Sequence, residues 1–307
     1  MGNRKRLERQ AGRQALVDGI PFHLPVNSEQ SPALMAAFPL DADRARSVLP
    51  GNELHPVRFR GKGILLITVI DYRVTDIGKY IEYSIAIACT HGRRPVPTPL
   101  AVLMPKRFGI GQFVLDLPVS TEISVKGGKG IWGMPKHRAS LDFVIGEDWV
   151  TSRYDLDGQL AMQIEVRPRR AWLPMSMGAV NYCQFRGMLM KSYIYFKGKI
   201  GFSLFSPGSA RLAIGDHPRL RGLAGMGVEA DRPLFAGFFP ETRGMLDDHF
   251  ECWFLSHDRA PTEAPEGLES VFWLGLSQEW PPPPGAVSAP AGTALPPAAD
   301  RERTAAP

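Results

Sequence analysis

The chain has 307 residues, a formal net charge of +5, 44% hydrophobic residues and 22% charged residues. That is the composition of a globular protein with apolar material for one large domain or two ordinary ones. No apolar run reaches the roughly 18 residues of a membrane span. Much of the positive excess sits in Arg4, Lys5, Arg6, Arg9 and Arg13 rather than in an aromatic-basic motif, so neither a membrane nor a nucleic-acid partner is expected.

Residues 1–20 read as a basic arm, with Leu7, Ala11 and Ala15 along one side if the arm is helical. No apolar block follows it, so it is not a secretory signal, and Arg6 breaks the myristoylation pattern. A cytoplasmic location is the resulting expectation. Cys89, Cys183 and Cys252 are odd in number and far apart, which fits free, mostly buried thiols rather than a disulfide framework.

Residues 21–280 read as one domain. DADRARSVLPG (41–51) predicts a short helix capped by Asp41 or Asp43 and stopped at Pro50. GILLITVID (63–71) is a continuous apolar run suited to a buried strand. YIEYSIAIAC (80–89) alternates: Ile81, Tyr83, Ile85, Ile87 and Cys89 share one face, and Tyr80, Glu82, Ser84, Ala86 and Ala88 the other. The second face is small and polar around one carboxylate; it either meets solvent or lines a cavity. Residues 101–125 offer two short strands, and the glycine-rich stretch after them reads as turn and loop through residue 143. ASLDFV (139–144) alternates again.

RYDLDGQLAMQIEV (153–166) is a hairpin whose Asp157-Gly158 pair fits a type I′ turn. Residues 177–196 fit a helix passing into a strand. IGFSLF (200–205) and SARLAI (209–214) suggest a second hairpin around Pro207-Gly208, and residues 215–228 a short helix capped by Asp216. Strands at 249–256 and 269–276 close the series. From Pro281 onward 8 of 27 residues are proline, and such a tail cannot bury enough apolar area to offset its ordering entropy, so 281–307 reads as disordered. The fold class is mainly β or α+β, with antiparallel strands and few short helices.

Most catalytic motifs are missing. The glycine clusters at 109–113 and 127–133 form neither GxGxxG nor a phosphate-cradling loop ending in Gly-Lys-Ser/Thr. None of the seven histidines forms a pair at metal-ligand spacing, and no GxSxG elbow exists. No metal and no cofactor is expected. The remaining nucleophile is Lys136, in GKGIWGMPKHRASLDF (128–143). An ordinary lysine amine, with a pKa near 10.4, is protonated and cannot attack a carbonyl. Apolar neighbours such as Ile131, Trp132 and Met134, and cations such as His137 and Arg138, both disfavour the ammonium form. The competing reading is a solvated lysine in a basic loop.

GGKGIWGMPKHRASLDF resembles the signature of the acetoacetate decarboxylase superfamily, in which a glycine-rich segment, an apolar pair and Pro-Lys precede a strand. GKYIEYSIAIAC (78–89), FPLDADRARSVLP (38–50) and GSARLAIGDHP (208–218) resemble further segments of that family in the same order. The resemblance implies an antiparallel β cone or barrel around an apolar cavity, usually in a homo-oligomer. It implies that Lys136 forms a Schiff base with a small keto-acid substrate, with His137 beside it where the decarboxylase has a second lysine. Lysine activation of this kind is exemplified by acetoacetate decarboxylase itself. Glu82, Trp132, Met134 and Arg138 are the accompanying candidates for substrate contact.

This chain has Lys129-Gly130 where the family commonly has Arg-Glu, and Ser31 falls near a position where the decarboxylase has a pocket arginine. Three functions are open to such a chain: decarboxylation of a β-keto acid, aldol or dehydratase chemistry on a pyruvate-like keto acid through the same iminium, and ligand binding without catalysis.

Overall fold

The computed structural model describes residues 12–246 and 249–259. The expected strand at 269–276 and the tail from Pro281 lie outside the described residues. Residues 1–11 of the expected basic arm also lie outside the described residues, and its remainder, from Arg13, is strand and turn rather than helix. Strands β1 (Arg13–Val17) and β2 (Ile20–Leu24) pair antiparallel across Asp18-Gly19, so Ala15 belongs to a hairpin that runs through the expected domain boundary at residue 20.

Next come β3 (Val26–Leu40), α1 (Ala42–Val48), β4 (Leu54–Pro56), β5 (Gly63–Tyr72), β6 (Val74–Thr75) and β7 (Tyr80–His91). Asp41 caps α1 as expected, its carboxylate accepting from the backbone N–H groups of Asp43 and Arg44. Residues 98–132 hold one strand rather than two: α2 (Thr98–Leu103), then β8 (Gly111–Val119), then α3 (Glu122–Trp132). The segment expected to be a loop is therefore the end of a helix followed by β9 (Lys136–Arg138).

Short strands β10 (Ser140–Leu141) and β11 (Val144–Ile145) lead to β12 (Val150–Leu156) and β13 (Gln159–Val166). The β12–β13 turn is of the expected kind, with φ of +52° at Asp157 and +77° at Gly158. Met162, Ile164 and Val166 on β13 are buried.

Residues 177–196 contain no helix. They span β14 (Leu173–Phe185) and β15 (Met188–Leu204), a long hairpin joined at Arg186-Gly187 with φ of +51° and +73°. The predicted second hairpin is also absent, because β15 and β16 (Ala210–Ile214) belong to different sheets. At 218–224 a 3-10 turn runs into α4 (Arg221–Ala224), and its cap is His217 rather than Asp216. Strands β17 (Phe235–Leu246) and β18 (Glu251–Phe254) complete the described chain.

The larger sheet runs β4-β7-β5-β3-β17-β15-β14-β8-β9, and β7 also pairs with β8. That extra pairing closes seven strands into a barrel, which removes their free edges. The smaller sheet is built from β10, β11, β12, β13 and β16. Leu34, Phe38, Leu65, Ile67, Tyr83 and Ile85 of the barrel wall share one apolar core with Tyr154, Met162 and Ile164 of the smaller sheet. A second cluster joins Leu24, Val26, Val114, Leu117, Trp132, Met134, Cys183 and Met190. Among the described residues no helix is long and apolar enough to cross a membrane.

Candidate active site

Strands β8 and β9 run parallel, with Leu117 opposite Lys136 and Pro118 opposite His137. A parallel pair cannot be joined by a tight turn, so the chain must cross over, and α3 is that crossover. The helix ends at Gly133 in the left-handed conformation (φ +62°), whose N–H closes onto the carbonyls of Gly128 and Lys129. Met134 and Pro135 then swing the chain into β9.

Lys136 is 5% exposed. Its Nζ lies 2.7 Å from Glu82 Oε2 on β7 and donates to Ser124 Oγ on α3 at 3.0 Å. It also stands 5.4 Å from the centroid of the Tyr80 ring. The second face of β7 is thus turned toward the lysine rather than toward solvent, and its carboxylate is the amine's partner. Tyr80 shares hydrogen bonds with Ser124 and with Tyr72, against which it stacks at 4.5 Å. Burial, and then the charge of Glu82, raise both phenols well above their usual value near 10. Both remain neutral hydroxyls beside the amine at any physiological pH.

Two glycines of α3 explain how the lysine is seated. A Cβ on Gly128 would stand 2.2 Å from Lys136 Cδ, so the lysine stem lies directly on helix backbone. On another side of the helix, a Cβ on Gly130 would meet Val17 at 2.6 Å. The β1–β2 hairpin clasps α3 here, and Asp18 adds an ion pair to Lys126 at 3.1 Å. Gly130, which departs from the common family residue, is therefore the landing point of the N-terminal hairpin.

The other expected site residues are distributed differently. Successive side chains of a strand point to opposite faces, and His137 points away from the amine. Its Nε2 lies 3.0 Å from Asp116 Oδ1 and 3.4 Å from the Tyr154 hydroxyl. Asp116 is 4% exposed and also accepts from Arg219 Nε at 2.8 Å and Tyr154 Oη at 3.1 Å. His137 thus belongs to a buried polar cluster that ties β9 to the smaller sheet, and does not sit as a second cation next to Lys136. Trp132 and Met134 are buried in the second apolar cluster. Arg138 is exposed.

Ser124 and Tyr72 join the site although no sequence motif marks them, whereas Gly128, which seats the lysine stem, lies in the glycine-rich part of the motif. Tyr80 carries a signal, since it shares a strand face with Glu82. Two surface clefts of about 660 and 590 Å³ are lined by other residues and do not include Lys136. Among the described residues no three of His, Cys, Asp or Glu converge as a metal-ligand set.

The fold and site define a closed β-barrel protein, antiparallel except for the parallel β8–β14 pair, that holds a lysine amine against a carboxylate and a serine hydroxyl, away from water. The chain belongs to the acetoacetate decarboxylase family: the family model described as Acetoacetate decarboxylase (ADC) matches residues 9–188. Among solved structures, the acetoacetate decarboxylase of Legionella pneumophila subsp. pneumophila aligns with a TM-score of 0.52 at 15% identity, covering 73% of this chain and 85% of that one. A second acetoacetate decarboxylase structure aligns at a TM-score of 0.53 and 13% identity, covering 75% of this chain and 90% of that one. The enduracididine biosynthesis enzyme MppR in complex with pyruvate aligns at 0.52 and 14%, covering 74% and 90%. These likenesses establish the fold. No curated protein matches the chain.

Proposed function

We propose that the chain is a Schiff-base-forming carbon–carbon lyase that decarboxylates a β-keto acid through an iminium on Lys136. The observation that carries this reading is the buried Lys136 Nζ, 2.7 Å from Glu82 and 3.0 Å from Ser124. Glu82 is within reach to take a proton from the ammonium, which frees the nitrogen lone pair. The amine adds to the substrate ketone. Glu82 returns the proton to the resulting hydroxyl, which leaves as water and gives the iminium. The bond to the carboxylate carbon then breaks, its electron pair moves toward the iminium nitrogen, carbon dioxide departs and an enamine forms. Protonation of the enamine carbon and hydrolysis release the ketone and restore Lys136. Tyr80 and Tyr72, held neutral, supply hydroxyls rather than competing charge.

A second reading keeps the iminium and changes its fate. A carboxylate placed beside the amine can also remove a proton from the carbon next to the iminium, as aldol or dehydratase chemistry on a pyruvate-like keto acid requires. The fold is shared with MppR, which has been solved in complex with pyruvate and with the condensation product of pyruvate and imidazole 4-carboxaldehyde.

Borohydride reduction tests both. The protein is incubated with acetoacetate or pyruvate, reduced and digested with trypsin. A secondary amine at Lys136 blocks cleavage there, so the adduct is expected on the peptide spanning residues 130–138. Absence of an adduct with any small keto acid would defeat both readings. With an adduct in hand, carbon dioxide release against condensation product decides between them.

A further inference from the structure

The cleft of about 660 Å³ lies across β14, β15 and β17, and none of the residues around Lys136 lines it. Its polar side is one rung of the barrel. Ser176 on β14 is opposite Lys197 on β15, which is opposite Arg243 on β17. Directly opposed residues of a sheet share a face, so a hydroxyl, an ammonium and a guanidinium stand side by side. Lys199, two residues along β15, adds a second ammonium to the same face and lines the same cleft. Among the described residues neither lysine has an ion-pair partner. Arg243 has Glu241, at a loose 3.8 Å.

Like charges directly opposite each other on neighbouring strands are destabilising. Lys197 and Arg243 form such a pair, and an anion between them would relieve it. Three cations against the one carboxylate leave two positive charges, which matches the dianion of a phosphate monoester near neutral pH. The rest of the lining includes Ala171, Pro174 and Pro240, an apolar surface on which an organic group can lie. The volume is within the range of small-ligand sites.

We propose that this rung is a binding site for a small phosphate monoester, the phosphoryl group held by Lys197, Lys199, Arg243 and the Ser176 hydroxyl, and the organic group resting on Pro174 and Pro240. The site is separate from the amine chemistry at Lys136 and does not depend on it.

Phenyl phosphate is the probe, titrated into the full chain at constant ionic strength and followed by calorimetry and thermal shift. Inorganic phosphate and benzoate are run in parallel. The expected result is saturable binding, tighter for phenyl phosphate than for either partial ligand. Lys197→Gln and Arg243→Gln are each expected to weaken it about ten-fold or more, the worth of a charge-assisted hydrogen bond. Lys106→Gln, which removes the same charge from another exposed position, is expected to leave binding unchanged. The ligand-free melting temperature of each variant reports that the fold is intact. Equal binding of benzoate, a response reproduced by sodium chloride, or equal binding by all three variants would overturn the proposal.

Discussion

Lys136 and Glu82 meet across an intervening strand: the lysine is on β9, the glutamate on β7, and β8 runs between them with its Val119 in register with both Glu82 and Arg138. The 2.7 Å contact is therefore set by the closure of the barrel at β7–β8 and by the parallel docking of β9, not by any local sequence spacing. Glu82→Gln preserves size and hydrogen bonding but removes the base. It is expected to lower the rate of borohydride-trappable adduct formation by about 10²–10⁴-fold, the usual contribution of a positioned acid–base group, while Lys136→Met abolishes the adduct. Single-turnover trapping followed by mass spectrometry reads both. An unchanged rate in Glu82→Gln would remove Glu82 from the proposed mechanism.

Gly128 offers a test of how tightly the amine is placed. Gly128→Ala puts a methyl group 2.2 Å from Lys136 Cδ, so the stem must shift. The expected cost is about 1–3 kcal/mol of stability, as for other overpacked sites, together with a loss of adduct formation. Gly130→Ala carries a similar collision, but with Val17 of the hairpin. It is expected to lower stability while retaining more of the trapping rate than Gly128→Ala. Urea unfolding measured beside the trapping assay separates the two effects.

Removing Asp116 strands three donors at once: His137, Arg219 and Tyr154. Asp116→Ala is expected to cost about 2–3 kcal/mol, below the full cost of breaking a buried pair because the Arg219 side chain is 41% exposed. A fall in melting temperature with retained far-UV circular dichroism is the expected outcome.

Tyr72, Tyr80 and Tyr83 make the fold sensitive to alkali. Burial raises all three phenols well above their usual value near 10. Below pH 10 both the folded and the unfolded chain keep these protons. Above it the unfolded chain loses them while the folded chain holds them, so stability falls as pH rises toward the folded values. Each phenol contributes a slope of about 1.4 kcal/mol per pH unit. Absorbance at 295 nm is expected to show these three tyrosines ionising only together with unfolding. Ionisation near pH 10 in the native protein would contradict their burial.

The features legible in the sequence are local ones. The Asp41 cap and the Asp157-Gly158 turn are each specified within four residues, and both are present. Lys136 is legible through its motif. The Arg186-Gly187 turn uses the same positive φ pattern as Asp157-Gly158, but arginine gives no turn signal, so a hairpin reads as a helix. Helix α3 is hidden for a related reason. Each glycine costs a helix about 1 kcal/mol, and Gly127, Gly128 and Gly130 together read as a turn. Phe22, Lys136 and Val17 lie so close to them that no larger side chain fits, and that requirement is visible only in three dimensions. The partners of His137 are illegible because Asp116, Tyr154 and Arg219 come from three distant segments. His137 next to Lys136 in sequence suggests shared chemistry; strand geometry sends the two side chains to opposite sides.

Strand β9 is three residues long and forms the end of the larger sheet, paired to β8 but outside the seven strands that close on themselves. The Lys136 amine is carried by an appendage of the barrel rather than by a stave. Local opening is easiest where few backbone bonds must break: parting β9 from β8 would leave the backbone ladder of the closed ring made and break only the side-chain contacts of Lys136 and His137. Such a hinged panel would admit a substrate to a sequestered lysine, and amide exchange at residues 136–138 that outpaces exchange in the ring would be its signature.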